Sequence, residues 1–301
     1  MEQNKLLFIY NPKSGKGLIK QHLSDIVDLM VKSGFAVTIY PTQDRGDATR
    51  KVLEDGIHYD RIVCSGGDGT LDEVVSGMQR ANLTIPLGYI PAGSTNDFGR
   101  SLKISNDMSK AMHAAVSEHV YPCDVGKFNE RNFVYIAAFG MFTEVSYETP
   151  QELKNMLGHL AYILSAAKSL AAIPNYRMQI EIEGQMVEER FIYGMITNSV
   201  SVGGFKGMTG KDVKLDDGVF EVTLIKHPSN LAELNEIVGC LTNLIDDSDL
   251  IYSLKTKQLH ILSEEAIPWT LDGEFGGIHR DVIIENIHKA VGICVNNIEE
   301  L

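Results

Sequence analysis

Residues Ile62 to Glu73 read Ile-Val-Cys-Ser-Gly-Gly-Asp-Gly-Thr-Leu-Asp-Glu, and no other stretch narrows the fold so far. A short β-branched apolar run feeds three glycines, after which Leu71, Val74, Val75 and Met78 recur on one helical face. The order is strand, tight loop, helix. Glycine permits positive φ and lets a ligand approach the main chain, while free N–H groups at a helix start attract anions. The loop Gly66-Gly67-Asp68-Gly69-Thr70 is therefore a candidate phosphate cradle, with an ordinary βα turn as the plain alternative. Asp68 itself repels a phosphate, so its carboxylate points to a divalent cation or a sugar hydroxyl beside the phosphates.

The same alternation runs through the first 126 residues. Strands are predicted at Lys5–Tyr10, Phe35–Tyr40, Ile85–Ile90 and Val120–Val125, and helices at Leu18–Ser33, Asp47–Glu54 and Asn106–Glu118, with Gly34 closing the first helix. This spacing implies a parallel sheet wound with right-handed crossovers, whose ligands sit at the carboxyl ends of the strands. The loops at 11–17, 66–70 and 92–97 all follow strands, so all three are expected to face one crevice. Asn11-Pro12-Lys13-Ser14-Gly15-Lys16-Gly17 does not match G-x-x-x-x-G-K-[ST] and is not a P-loop, yet its lysines and N–H donors suit a phosphate.

Past Lys127 the pattern becomes mostly β. Strand-like runs occur at Asn132–Phe139, Tyr176–Ile182, Met186–Thr197, Val219–Lys226, Lys257–Leu262, Ile267–Leu271 and Asp281–Ile284. Met178, Ile180 and Ile182 alternate with Gln179, Glu181 and Glu183, as on a half-exposed antiparallel strand turned at Glu183-Gly184-Gln185. Helices are expected at about 151–172 and 229–246. The first has a broad apolar face, with Lys154, Ser165, Lys168 and Ser169 opposite. It reads as an interfacial helix, a cover over an apolar pocket or a core helix; His159 and Lys168 interrupt it, and a bilayer span needs about 20 apolar residues. The predicted domains are thus 1–126, 127–288 and a tail, 289–301, whose sequence does not decide a return to the first domain.

With 301 residues, 44% of them hydrophobic, the chain has room for two domains. A net charge of −13 argues against nucleic-acid binding, so an anionic partner must be met locally. Cys64, Cys123, Cys240 and Cys294 lie far apart, which indicates neither a zinc ribbon nor a disulfide framework. The apolar run Leu6–Tyr10 is too short for a signal peptide, and a cytoplasmic location is expected.

Two acidic turns complete the set: Lys214-Leu215-Asp216-Asp217-Gly218-Val219 and Trp269-Thr270-Leu271-Asp272-Gly273-Glu274. Carboxylates beside glycine are hard-oxygen ligands suited to Mg²⁺, and a pair after a strand suits a general base. Taken with Asn11–Gly15, Ser65–Thr70 and Pro91–Asp97, these turns make the chain resemble the diacylglycerol kinase catalytic family in its soluble bacterial branch. The resemblance covers nearly the whole chain. The Gly-Gly-Asp-Gly-Thr element alone is less specific, being similar to one in NAD kinases and phosphofructokinases.

The resemblance implies a Rossmann-like α/β N-terminal domain of NAD kinase and diacylglycerol kinase type, followed by a mostly antiparallel β-sandwich, with ATP in the cleft between them. It implies ATP contacts at Asn11, Pro12, Lys13, Ser14 and Gly15, at Thr42, at Gly66, Gly67, Asp68, Gly69, Thr70, Leu71, Asp72 and Glu73, and at Ser94, Thr95, Asn96 and Asp97. A structural Mg²⁺ maps to the Asp217 carboxylate with the carbonyls of Lys214 and Val219, Asp216 lying beside it, and Asp68 and Asp97 would join Asp217 in a water-linked network. The base lies in Asp-Gly-Glu, as Glu274 or Asp272. The implied reaction is phosphorylation of diacylglycerol to phosphatidic acid at the inner membrane face, with the 151–172 helix, Lys13, Lys16 and Lys168 meeting anionic headgroups. A homodimer is an open expectation. Alternatives are a kinase of a sphingoid base or another glycerolipid, an NAD kinase, and a nucleotide-binding regulator without turnover. Asn96-Asp97-Phe98 stands against the NAD kinase, where an Asn-Glu pair is typical.

Overall fold

The computed structural model describes residues 3–17, 19–94, 96–140, 160, 164, 170–199, 213–242 and 248–298. The chain divides into two compact units, Met1–Val125 with Ile287–Leu301, and Gly126–Asn286.

The first unit is built on β1 (Lys5–Tyr10), β2 (Ala36–Pro41), β3 (Arg61–Gly66) and β4 (Leu87–Pro91), joined through α1 (Ile19–Lys32), α2 (Asp47–Asp55) and α3 (Asp68–Arg80). β1 pairs in parallel with both β2 and β3, and β3 with β4, so the chain's Rossmann-like alternation yields a parallel sheet here. Leu6 to Ile9 and Ile62 to Cys64 are wholly buried, as continuous apolar runs in parallel strands require. β2, at the edge, is the most exposed of these strands. At the end of α1, Gly34 has φ +92°; its N–H donates to Val31 O (2.9 Å), and the Phe35 N–H donates to Met30 O (3.2 Å). Those paired bonds satisfy the last carbonyls of the helix. After β4 come α4 (Asp97–Ser101), α5 (Met108–Ala115) and β5 (Val120–Phe128). α4 was not expected from the sequence, since five residues show no periodicity.

In the second unit, β6 (Arg131–Phe133), β7 (Ile136–Gly140), β8 (Tyr176–Ile182), β9 (Gln185–Thr197), β10 (Phe220–Lys226), β11 (Ile251–Thr256), β12 (Gln258–Leu271) and β13 (Glu274–Cys294) form antiparallel pairs. The expected sandwich is not two separate sheets. β7 and β8 each pair with both β9 and β12, so the four strands close a circuit. Inside it Trp269 packs against Phe128 and Phe139, each at 4.9 Å between ring centroids. α6 (Leu231–Leu241) begins at Asn230, whose side chain accepts the Glu233 N–H while Glu233 accepts the Ser229 N–H (2.6 Å).

Several sequence expectations change. The strand predicted at Asn132–Phe139 is two, β6 and β7, because the N–H groups of Val134, Tyr135 and Ile136 are drawn to Asp272. Lys257–Leu262 and Ile267–Leu271 are one strand, β12, with a register shift between Leu262 and Ile267. Asp281–Ile284 is the middle of the 21-residue β13, whose last part pairs in parallel with β4 at Ile293 and Leu87. β11 was not expected. The 151–172 helix, including His159 and Lys168, lies outside the described residues except for Leu160, Leu164 and a 3₁₀ turn at Leu170–Ala172.

Candidate active site

In the first unit three strand ends draw the candidate loops together. The Asn11 N–H donates to Ser65 O (2.9 Å) and the Ala92 N–H to Gly66 O (2.8 Å), which ties the ends of β1 and β4 to that of β3. Gly15 has φ +50°, and a Cβ there would lie 1.8 Å from Ala92 O. A Cβ on Gly93 would lie 2.5 Å from Gly67 Cα. Side chains at these positions would force the loops apart, so glycine is what permits the convergence. Asn11 Oδ1 accepts the Lys13 N–H (2.9 Å), and Ser14 and Gly15 lie in the 3₁₀ turn after Pro12. The Thr42 N–H donates to Tyr10 O (2.9 Å), seating Thr42 beside the end of β1.

Gly67 precedes α3, and its carbonyl accepts the N–H groups of Thr70 and Leu71. Asp68 and Asp97 each open a helix, and both are buried. The Asp97 N–H donates to Asp68 Oδ2 (3.1 Å). Burial, and next the Asp97 charge, pushes the Asp68 carboxyl up to about 6. Arg100 Nη1 lies 3.7 Å from Asp97 Oδ1. Asn96, at φ +53°, folds back so that Oδ1 accepts the Gly93 N–H (2.9 Å) and Nδ2 donates to Gly93 O (3.0 Å). Tyr89 donates its hydroxyl hydrogen to Gly66 O (3.2 Å), and burial holds its phenol far above the ordinary range. Ser94 is exposed, Asp72 is half-buried on α3, and Thr95 lies outside the described residues. Glu73 has a structural task as well: its two carboxylate oxygens accept the N–H groups of Gly46 (2.7 Å) and Ala48 (3.1 Å) at the start of α2.

In the second unit, Asp272 (φ +49°) and Gly273 (φ +81°) form the two-residue turn between β12 and β13. The buried Asp272 carboxylate accepts three consecutive main-chain N–H groups: Val134 at 2.6 Å, and Tyr135 and Ile136 at 3.0 Å. Glu274 is exposed at the first position of β13. In the other acidic turn, Gly218 has φ +78° and Asp217 Oδ1 accepts the Val219 N–H (3.2 Å). Lys255 Nζ lies 3.6 Å from Asp217 Oδ2 and 3.1 Å from Glu221 Oε1. Burial pushes the Glu221 carboxyl up to about 7, the lysine opposing it. Lys214 is exposed and Asp216 half-buried.

The donor chemistry fits both expected groups. Glycines at 15, 67 and 93 leave main chain bare where phosphates would be cradled, and the Asp217 turn offers hard oxygens at a position that already draws an ammonium. Among the described residues no three His, Cys, Asp or Glu side chains converge on a metal position, so backbone carbonyls must supply part of any Mg²⁺ shell. Sequence reasoning missed Tyr89, Arg100, Glu221, Lys255 and the amides of Val134–Ile136. Only Glu221 carried a signal, as a carboxylate inside the apolar run Val219-Phe220-Glu221-Val222.

Comparison with known proteins agrees with this arrangement. Residues 5–128 match the diacylglycerol kinase catalytic domain, and residues 137–285 match the YegS C-terminal NAD kinase beta sandwich-like domain. A diacylglycerol kinase of Staphylococcus carnosus (strain TM300) is 38% identical over 275 residues, 89% of this chain and 88% of its own. One from Staphylococcus aureus (strain Newman) is 37% identical over 273 residues, covering 89% of this chain and 85% of its own. The crystal structure of a diacylglycerol kinase from Bacillus anthracis str. Sterne superposes with a TM-score of 0.74 at 27% identity, covering 98% of each chain. With these matches running through both units, the chain belongs to the diacylglycerol kinase family.

Proposed function

We propose that this chain is an ATP- and Mg²⁺-dependent lipid kinase that phosphorylates diacylglycerol to phosphatidic acid at the inner face of the membrane. The observation that carries the reading is the meeting of three strand-end loops through Gly15, Ala92, Gly93 and Gly67 beside the buried carboxylates of Asp68 and Asp97. Phosphates of ATP take main-chain N–H groups of this cradle, with Lys13 adding charge. Mg²⁺, when bound by Asp217 with carbonyls of its turn, supplies positive charge against which acidic side chains and phosphate oxygens can be ordered.

The lipid hydroxyl attacks the γ-phosphorus as the bond to the bridging oxygen breaks. ADP leaves with the electron pair, and the hydroxyl proton passes to a carboxylate. Glu274 is the better base. It is exposed, whereas Asp272 is buried with its oxygens committed to three N–H donors. The lipid comes to the enzyme at the bilayer surface, because exposing acyl chains costs about 0.8 kcal/mol per CH₂. No helix among the described residues is long and apolar enough to cross a membrane.

The test is transfer of labelled γ-phosphate from Mg-ATP to mixed micelles of diacylglycerol, monoacylglycerol, sphingosine or undecaprenol, with NAD alongside. Labelled phosphatidic acid that disappears in Glu274→Gln is the expected result. Label in another lipid changes the acceptor, label in NAD favours the kinase implied by the second unit's match, and label nowhere sinks the proposal.

A further inference from the structure

We infer that Asp272 is a positioning residue: its carboxylate fills a nest of three consecutive amides and so fixes the turn that presents Glu274. The inference rests on the reading of Glu274 as the base. The segment Val134–Ile136 and the turn lie 136 to 138 residues apart in sequence, yet four hydrogen bonds join them. Three run from the amides to the carboxylate at 2.6, 3.0 and 3.0 Å. The fourth runs back, from the Asp272 N–H to Ile136 O at 2.9 Å.

The amide segment is itself anchored, since the Asn198 N–H donates to Tyr135 O at 3.0 Å. Successive N–H groups pointing at one centre make an anion site, and bonds to an ionised acceptor are the stronger kind. In this protein the anion is an internal side chain. A two-residue turn with positive φ at both positions is met by Asn-Gly, Asp-Gly or Gly-Gly alike, so turn geometry accounts for the backbone at Asp272 but not for both of its carboxylate oxygens meeting amides of another segment. Proton transfer to Asp272 would cost it those bonds; holding the turn keeps them. Glu274 follows two residues later, at the first position of β13, so its placement follows that of the turn.

The experiment uses the full chain carrying Asp272→Gly, which tolerates the turn's φ while emptying the nest. Amide exchange should accelerate together in peptides covering 131–140 and 268–278. The kcat for lipid phosphorylation should fall about a hundredfold, the size of loss expected from a base displaced by an ångström, with KM for ATP unchanged. Added formate, which fits a three-amide nest, should slow exchange in both peptides and recover part of kcat. The acid limb of the pH profile should stay where the unmodified enzyme has it. If the glycine variant does not fold, Asp272→Asn keeps the Oδ1 that accepts from Tyr135 and Ile136, and exchange should rise chiefly at Val134. Unchanged exchange in 131–140, an unaltered kcat, or loss of the acid limb would each overturn the inference. Should the unmodified chain phosphorylate no lipid, the reading of Glu274 fails, while the exchange result still decides whether Asp272 clamps the turn.

Discussion

Asp68 is a carboxylate held where charge is expensive. Its folded pKa of about 6 exceeds the ordinary 3.8, because burial and then the Asp97 charge disfavour ionisation. The folded state thus binds more protons than the unfolded chain between those two values. The stabilisation is fully present below pH 3.8 and is lost as pH rises through about 6. That rise corresponds to about 2–3 kcal/mol. Asp68→Asn, which cannot ionise, should therefore be more stable than the unmodified protein at pH 7.5 and no more stable at pH 4, in urea titrations without nucleotide or metal. An equal difference at both pH values would show that Asp68 is not the titrating group. Its place in the loop was legible because glycines and a carboxylate in sequence name their own chemistry. That the Asp97 loop faces the same crevice was legible because both loops follow strands; the contact itself, the Asp97 N–H donating to Asp68 Oδ2, was not, because it depends on α4, a helix too short to show a period.

Elements were legible where one burial pattern ran from end to end. β1 and β3 are continuous apolar strands, and α1 and α3 each have one buried face. β13 was read only at its centre because Gly276, Gly277, Gly292 and a run of charges break the alternation, and because its two parts serve different units. Asp272 was legible as an acidic turn residue, but its amide partners were not, since nothing local in Val134-Tyr135-Ile136 announces an anion site. Glu73 shows the same limit on a helix. The resemblance implies an ATP contact there; nothing local in the sequence shows that its carboxylate also caps α2 through Gly46 and Ala48 and that its main-chain carbonyl accepts from Thr49 Oγ1 (2.8 Å). An anionic cap at a helix start contributes on the order of 1–2 kcal/mol. Glu73→Ala should lower the urea midpoint accordingly and speed amide exchange over 46–52, and Glu73→Gln, with one accepting oxygen, should fall between. Full stability in Glu73→Ala would remove the capping role.

For the whole molecule, the first unit is discontinuous in sequence: residues up to Val125 are completed by Ile287–Leu301. The catalytic-domain match ends at residue 128 and contains every expected nucleotide residue, which invites the view that this stretch stands alone. Its hydrogen bonds argue otherwise. Ile293 extends the parallel sheet beside Leu87, the Val295 N–H donates to His119 O (2.9 Å), and Gln79 Nε2 donates to Ala290 O (2.6 Å). Asp124, wholly buried, accepts the Lys289 N–H (2.7 Å) and faces His288 Nδ1 (3.0 Å). Ending the chain at Asn286 would remove the buried side chains of Val291, Ile293 and Val295, expose the apolar edge of β4 that Ile293 pairs with, and leave the Asp124 carboxylate short of its main-chain donor. Burying one such side chain is worth about 1.5–3 kcal/mol, and domains of this size are stable by only about 5–15 kcal/mol in total. A chain truncated at Asn286 should therefore lose protection from proteolysis within residues 61–125, although the second unit, Gly126–Asn286, keeps all of its strand pairs. If 61–125 stays protected, the C-terminal strand is an addition to a fold already complete; if it is cleaved while 126–286 survives, Ile287–Leu301 is part of the first unit's core.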